Sequence, residues 1–550
     1  MLGKACIGKV KIHRGVFQGD SVSPIHFIMS LLPLLILLNK AGVGYFVTTD
    51  SRNGPQISHR LYMDDLKLYA ESKDNMELLV NTTARFSSDI RMQFGLDKCA
   101  TVKLIKGAKA EFDGISLPDG DQIHDLEDEG YKYLGILEAS NILHTEMKTL
   151  VTKEYVRRVK KILKSQLHGR NCIQAINTWA VPVVRYGAGI LSWKKEEIKS
   201  LDVKTRKLMR IHGAHHPQGD VDRLYVSRQL GGRGLHSIEE VVKREENALT
   251  TYVMRSKDPE ISRLKDHFVK EKILLGEEVD KVVDKKQHED RRQELWKSKV
   301  MHGQYPRQMT AVADGGSSWD WLTQQDLKKE TEALLIAAQD QALRTNYVKH
   351  KIDKSPGSSP LCRLCRTHYE TIDHILNGCP KLAQTEYKCR HDKVAAALHW
   401  SLCKEYGFTH GQKWYEHWAE KVLENDKVKL LWDFHVQSDH VIEHCRPDLL
   451  LVDKETNTAT IIDVAVPGDT RIVDREQDKI LAYQDLKREI KKVWKLRKVS
   501  VIPVVIGALG AVTTNLRKHL DAIHCNLSIS NIQKTALLGS AHILRKVLEI

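Results

Sequence analysis

The segment Arg446–Pro467, RPDLLLVDKETNTATIIDVAVP, leaves a folding chain few options. Leu449–Val452 and Thr460–Val464 are apolar runs of strand length, and the polar residues Lys454, Glu455, Thr456 and Asn457 between them predict a turn. With those four residues as the loop, Asp453 faces Thr458. Counting back along both strands then sets Asp448 opposite Asp463 on one face. Directly opposed like charges destabilise a hairpin. A divalent ion such as Mg²⁺ relieves the repulsion, because paired hard oxygens at that spacing are its ligands. The alternative is a slipped register, with both aspartates solvated at strand ends.

A chain of 550 residues exceeds what one hydrophobic core serves, so several domains are expected, and a hydrophobic share of 41% fits folded domains rather than disorder. The 85 Lys and Arg outnumber the 71 Asp and Glu, a net charge of +14 that favours a polyanionic partner. The charge is clustered. Lys153, Arg157, Arg158, Lys160, Lys161 and Lys164 crowd one segment, and Lys487, Arg488, Lys491, Lys492, Lys495, Arg497 and Lys498 crowd another around Trp494, as helical stripes that neutralise phosphates do. Ten cysteines, mostly scattered, argue against a secreted disulfide scaffold and for a reducing compartment. No signal peptide is expected. The run Ile25–Leu38, broken by His26, Ser30 and Pro33, is read as a buried core helix too short to span a bilayer.

Towards the amino terminus, HRGVFQGDSVSP (His13–Pro24) precedes that apolar helix, and LYMDDLKLYA (Leu61–Ala70) sets Asp64 and Asp65 in what reads as a tight hairpin turn. Adjacent carboxylates there repel unless they are solvated or bind metal. FGLDKCATVKL (Phe94–Leu104) and YKYLGI (Tyr131–Ile136) follow. In this order the four segments resemble the palm motifs of reverse transcriptases. The resemblance implies Asp64 and Asp65 as Mg²⁺ ligands, Arg14, Gln18 and Gly19 as nucleotide or template contacts, and Lys98 as proton donor to the leaving pyrophosphate. Phosphoryl transfer by two metals needs a further bridging carboxylate, which the family carries upstream of the RGVFQGD loop. Here MLGKACIGKVKI contains no acid. The fingers and first palm motif are therefore expected to be missing, and polymerase activity of this chain alone is in doubt.

Residues 179–235, with WAVPVVRYGAGILSW and TRKLMRIHGAHHPQGDVDRLYVSRQLGGRGL, resemble the thumb of non-LTR retrotransposon reverse transcriptases of the restriction-like-endonuclease lineage. An ordinary helical bundle, with Trp179, Val183, Val184 and Trp193 as core, is the alternative. After a charged helical stretch interrupted at Ala313–Ser318, Lys354–Pro360 (KSPGSSP) marks the clearest linker. Cys362, Cys365, His374 and Cys379 then follow as C-x2-C-x8-H-x4-C, a spacing of soft ligands suited to tetrahedral Zn²⁺, with His368 and His391 as competitors for the histidine position. So small a module is expected to lack its own core. Similar knuckles lie between thumb and endonuclease in the same lineage.

The opening hairpin resembles the core of PD-(D/E)xK nucleases. A lysine normally stands two residues after the second acid, where this chain has Ala465; in this lineage the basic residue lies on the following helix. Lys479 and Tyr483 sit one turn apart on one helical face of Asp474–Trp494, with Ile480 and Leu481 expected inward and Glu476 a further candidate ligand. Lys479 would orient water or stabilise charge on the scissile phosphate, Asp448 and Asp463 holding Mg²⁺; otherwise it is a solvated helix charge. VIPVVIGALGAV (Val501–Val512) reads as a buried strand and glycine turn closing that sheet.

The expected fold is multidomain α+β: a partial reverse-transcriptase palm (1–140), a helical thumb (141–240), a helical connector (241–353), linker and zinc knuckle (354–400), and a PD-(D/E)xK-type α/β nuclease (401–550). The implied function is a retrotransposon-derived RNA-directed DNA polymerase fragment with a DNA endonuclease, acting in target-primed reverse transcription. Its cofactors would be Mg²⁺ and Zn²⁺, its partners an RNA template, target duplex DNA and, if the polymerase is completed, deoxynucleotides. No membrane partner is expected, and its place would be the nucleus. A non-catalytic nucleic-acid-binding remnant is the alternative.

Overall fold

A computed structural model describes residues 15, 19–46, 56–93, 95–126, 130–438 and 441–549, with the backbone alone for 263 and 281–283. Arg14 and Gln18 lie outside the described residues. The chain divides into two compact units, one of residues 1–151, 189–192 and 246–278, the other of 152–188, 193–245 and 279–550. Compactness alone gives this division, so the five sequence-derived stretches remain a proposal.

In the first unit, helix α1 (Ser23–Lys40) starts with Pro24 in its first turn. Leu31, Leu34 and Leu38 recur at helical spacing and pack on Leu79 and Phe86 of α2 (Lys73–Asp89). Strands β1 (His59–Tyr62) and β2 (Asp65–Leu68) pair antiparallel, with Tyr62 opposite Asp65, and lay Leu61, Leu66 and Leu68 on the same cluster. The expectation of a wholly buried α1 does not hold among the described residues: Ile25, Met29, Leu32 and Ile36, on the other face, are exposed. The helix also runs 18 residues, four more than the apolar run, and is by length and composition apolar enough to cross a membrane. Its length therefore does not exclude a span, while its leucine face packs as a core helix does. Further hairpins follow, among them β3 (Lys103–Ile105) with β4 (Ala108–Ala110) and β5 (Tyr131–Tyr133) with β6 (Ile136–Glu138).

The second unit is built on a five-stranded sheet, β7 (Val422–Glu424), β8 (Val428–Trp432), β9 (Leu449–Asp453), β10 (Thr458–Ala465) and β11 (Lys498–Val505), in that spatial order. The first four strands form an antiparallel meander, and β11 runs parallel to β10. A parallel neighbour requires a crossover, and α7 (Ile472–Ala482) with α8 (Gln484–Val493) supplies it. Both faces of the sheet are covered, which is why Leu449–Val452 is apolar without alternation. Leu449, Leu451, Ile462 and Val464 pack against α6 (Lys388–Glu405), α9 (Leu516–Ala522) and α10 (Ile529–Leu548); Leu450, Val452, Ala459 and Ile461 pack against Tyr483, Leu486 and Ile490. Pro503, which lacks a backbone donor, is tolerated because β11 is an edge strand.

The glycine turn after β11 is as read from the sequence. Gly510 takes φ +101°, and a Cβ there would meet the Trp321 indole at 3.1 Å. Asp469 holds the turn: it accepts from the Leu509 amide at 2.8 Å, the Ala511 amide at 2.9 Å and the Tyr305 hydroxyl at 3.0 Å.

Of the helices before the sheet, α3 (His144–Lys164) and α4 (Lys195–Ile211) meet at a buried hydrogen bond of 2.7 Å between the Tyr155 and Thr205 hydroxyls. The segments that follow contain buried ion pairs. Arg223 meets Asp340 at 2.7 Å, and Arg228 and Arg233 meet Glu332 at 2.8 Å each, from α5 (Lys329–Gln339). Arg223 and Arg233 are 1% exposed, so these two cations of the RLYVSRQLGGRGL stretch serve the core rather than a phosphate-gripping surface.

Candidate functional site

The hairpin register is the unslipped one: Asp453 pairs with Thr458 and Leu449 with Ile462, so Asp448, the residue before β9, falls opposite Asp463. Both carboxylates are largely withdrawn from water, and each is met by a cation. Lys479 Nζ lies 2.5 Å from Asp463 Oδ2, and the Tyr483 hydroxyl donates to Asp463 Oδ1 at 2.6 Å. Lysine and tyrosine reach the same carboxylate because they stand one turn apart on adjoining helical turns. Asp448 Oδ2 accepts from the Val464 amide at 2.7 Å and from His391 Nε2 at 3.1 Å.

His391 comes from the first turn of α6. The sequence reading offered it only as a competing zinc ligand, since 57 residues separate it from Asp448 and no local pattern joins them. Its Nδ1 faces Asp392 at 3.1 Å. Burial disfavours its protonation, but the hydrogen bonds and charges of Asp448 and Asp392 outweigh that and hold it at about 9, so the ring is a cation at neutral pH. Burial likewise works against an ionised Asp448, yet His391 keeps that carboxyl below its ordinary value. Asp463 moves the other way, raised by burial and then by the charge of Asp448, with Lys479 and Tyr483 opposing. The two acids are thus driven apart, as neighbouring carboxylates in one site are.

Two expectations for this region need correction. Leu481 is 71% exposed, because α7 turns Ile472 and Glu476 inward and the buried face continues at Tyr483. Glu476 is committed elsewhere: Thr513 Oγ1 donates to it at 2.6 Å and Asn515 Nδ2 at 2.7 Å. Hard carboxylate oxygens in a sheltered recess fit Mg²⁺, and Asp463 Oδ2 receives nothing besides the Lys479 ion pair.

Cys362, Cys365, His374 and Cys379 bring one ligand atom each within 4.8 Å of one another. Cys362 and Cys379 sulfurs are 3.9 Å apart, and Cys365 Sγ is 3.4 Å from His374 Nε2. A tetrahedral ion with ordinary Zn–S and Zn–N bonds needs separations of about 3.8 and about 3.5 Å, so the donors fit Zn²⁺. His368 stacks on the His374 ring at 5.4 Å and turns its Nδ1 to Thr367. With His391 at Asp448, His374 is the histidine of this set. Tyr387, which sequence reading missed, fastens the segment: it accepts from the Cys379 amide at 3.0 Å and points its hydroxyl at the Ile375 carbonyl, 2.8 Å away. The module has no core of its own, as expected: Cys362, Ile375, Leu376 and Cys379 belong to a shared core with Leu335, Leu509, Leu537 and Ala541.

In the first unit, Met63 at φ +55° and Asp64 make the two-residue turn between β1 and β2, and Asp64 and Asp65 are exposed. Burial, and after it the Asp65 charge, raise the Tyr131 phenol, so the YMDD turn and the YKYLGI hairpin lie close together. Lys67 pairs with Glu138 and sits 4.9 Å from the Tyr133 ring. Lys98 ends a short 3₁₀ turn, Leu96–Lys98, and is exposed; Gly19 takes φ +96°.

Comparison with known proteins agrees with the reading of this unit. The family model for reverse transcriptase (RNA-dependent DNA polymerase) matches residues 3–137. Over 432 residues, 73% of this chain, it is 24% identical to the retrovirus-related Pol polyprotein from type-1 retrotransposable element R2 of Popillia japonica. Over 97 residues, 17% of this chain, it is 36% identical to the corresponding polyprotein from type-2 retrotransposable element R2DM of Drosophila melanogaster. The matched region covers 54% of the Popillia protein and 8% of the Drosophila one, so the chain spans about half the length of the first of these relatives.

Proposed function

We propose that this chain is part of an R2-type retrotransposon protein, in which a reverse-transcriptase palm precedes a DNA endonuclease that nicks target DNA and exposes a 3′ end for priming. The reading makes duplex DNA, an RNA template and deoxynucleotides its partners and the nucleus its place of action. The observation that carries the nuclease half is the buried Asp448–Asp463 pair at the end of a mixed sheet, met by Lys479 and Tyr483 from the crossover helices and His391 from α6.

Asp448 and Asp463 would hold Mg²⁺, which when bound supplies a polarised water and charge neutralisation at the phosphate. Lys479 carries a positive charge where the cleaved phosphodiester accumulates negative charge. Tyr483 fixes the rotamer of Asp463, and His391 fixes that of Asp448, so neither acid must be ordered when substrate arrives. In the palm, Asp64 and Asp65 would be metal ligands, with Arg14, Gln18 and Gly19 at the nucleotide or template and Lys98 at the leaving group. At Cys362, Cys365, His374 and Cys379, zinc would be structural.

The test is nicking of supercoiled plasmid by the full chain in Mg²⁺. Activity that is lost in EDTA, and lost almost entirely in Asp448→Ala, supports the reading. Nicking that persists in Asp448→Ala contradicts it. The alternative, a nucleic-acid-binding remnant without catalysis, is favoured by one observation: each carboxylate already has a cationic partner. Tight DNA binding with no nicking in Mg²⁺ would select that alternative.

A further inference from the structure

Two sets of donors converge among the described residues: the knuckle, and His399, Cys403 and His417. His399 and Cys403 lie four residues apart on α6, which aligns them on one face one turn apart. His417 comes from the loop that follows. Its Nε2 is 2.7 Å from His399 Nδ1, the rings stack at 5.0 Å, and Cys403 Sγ is 3.4 Å from the same Nδ1. One ligand atom from each residue falls within 4.8 Å of the others, and His399 and Cys403 are fully buried. The Trp432 indole closes the pocket edge-on to His399 at 5.5 Å.

We infer that His399, Cys403 and His417 form a second zinc site, with a water as fourth ligand. Two imidazoles and a thiolate are the soft donor set that Zn²⁺ selects, and the 3.4 Å separation of nitrogen and sulfur is close to the about 3.5 Å of a tetrahedral ion. The two ring nitrogens are at hydrogen-bonding distance. An ion between them requires about 3.3 Å, so binding exchanges the His–His hydrogen bond for two metal bonds with a shift of about half an ångström on the half-exposed His417 side.

The site would be structural. The loop from Gly407 to Lys421 otherwise docks on α6 through Trp400, whose Nε1 donates to the Gly411 carbonyl at 2.8 Å and whose ring meets His410 edge-on. Zinc at His417 would fasten the loop at a second point. It lies about 12 Å along α6 from His391, eight residues at the helical rise, so it is separate from the Asp448–Asp463 pair.

The experiment is metal analysis of the full chain purified reduced and without chelator. About two zinc ions per chain are expected, falling by one in Cys362→Ser and by one in His417→Ala. Cys403→Ser risks misfolding because its sulfur is buried, so it is read by cobalt substitution. In the Cys362→Ser background, Co²⁺ should give a thiolate charge-transfer band that disappears on adding Cys403→Ser, with the far-ultraviolet circular dichroism unchanged. Wild-type protein holding one zinc ion, with His417→Ala holding the same, overturns the inference.

Discussion

Asp469 is a buried acid outside both proposed catalytic centres. Burial raises its carboxyl to about 6 against the pull of the Leu509 and Ala511 amides and the Tyr305 hydroxyl. An acid whose folded pKa lies above its unfolded value keeps a proton that the unfolded chain has released. Stability is therefore lost as pH rises from about 4 through about 6. Asp469→Asn should flatten that part of the melting-temperature profile relative to wild type, and profiles that stay parallel would contradict the assignment. Legibility at this scale depended on sequence distance. Lys479 and Tyr483 could be read as partners because they lie one turn apart, whereas His391 and Tyr387 could not, since tertiary packing alone brings them to Asp448 and Cys379.

Among elements, the hairpin was readable because its polar loop fixes register and a one-residue slip would turn every buried leucine outward. The crossover after it was readable only as a helix: the break at Tyr483 and the exposure of Leu481 follow from how α7 and α8 pack on the sheet. The knuckle spacing pointed to four side chains that the fold does bring together, but not to their burial against α10. That burial has a consequence for metal removal. Because Cys362 and Cys379 share a core with Leu537 and Ala541, stripping zinc should raise amide exchange in Ile529–Leu548 as well as around residues 360–387. Faster exchange confined to 360–387 would show an independent module.

For the molecule as a whole, the net charge of +14 matters where it is exposed. In α3, Lys153, Lys160, Lys161 and Lys164 are exposed, while Arg157 and Arg158 are paired with Glu154. Lys491, Lys492, Lys495, Arg497 and Lys498 are exposed at the end of α8 and beyond. Duplex affinity should fall linearly with salt on logarithmic axes. Neutralising Lys491, Lys492 and Lys495 together should make the slope shallower by up to about 0.9 for each phosphate that these lysines no longer neutralise. An unchanged slope would place the DNA elsewhere. The sequence revealed this charge but not its distribution, since Arg223 and Arg233 were indistinguishable from surface cations until their buried partners Asp340 and Glu332 were seen. The most direct test of the central claim compares wild type with Asp463→Asn for nicking of supercoiled plasmid in Mg²⁺, at matched DNA occupancy. Asparagine preserves the shape of the site and removes one metal-binding charge, so the variant should bind DNA as wild type does and nick at least about a hundredfold more slowly. Equal nicking by the two proteins would contradict the claim that Asp448 and Asp463 form a nuclease centre.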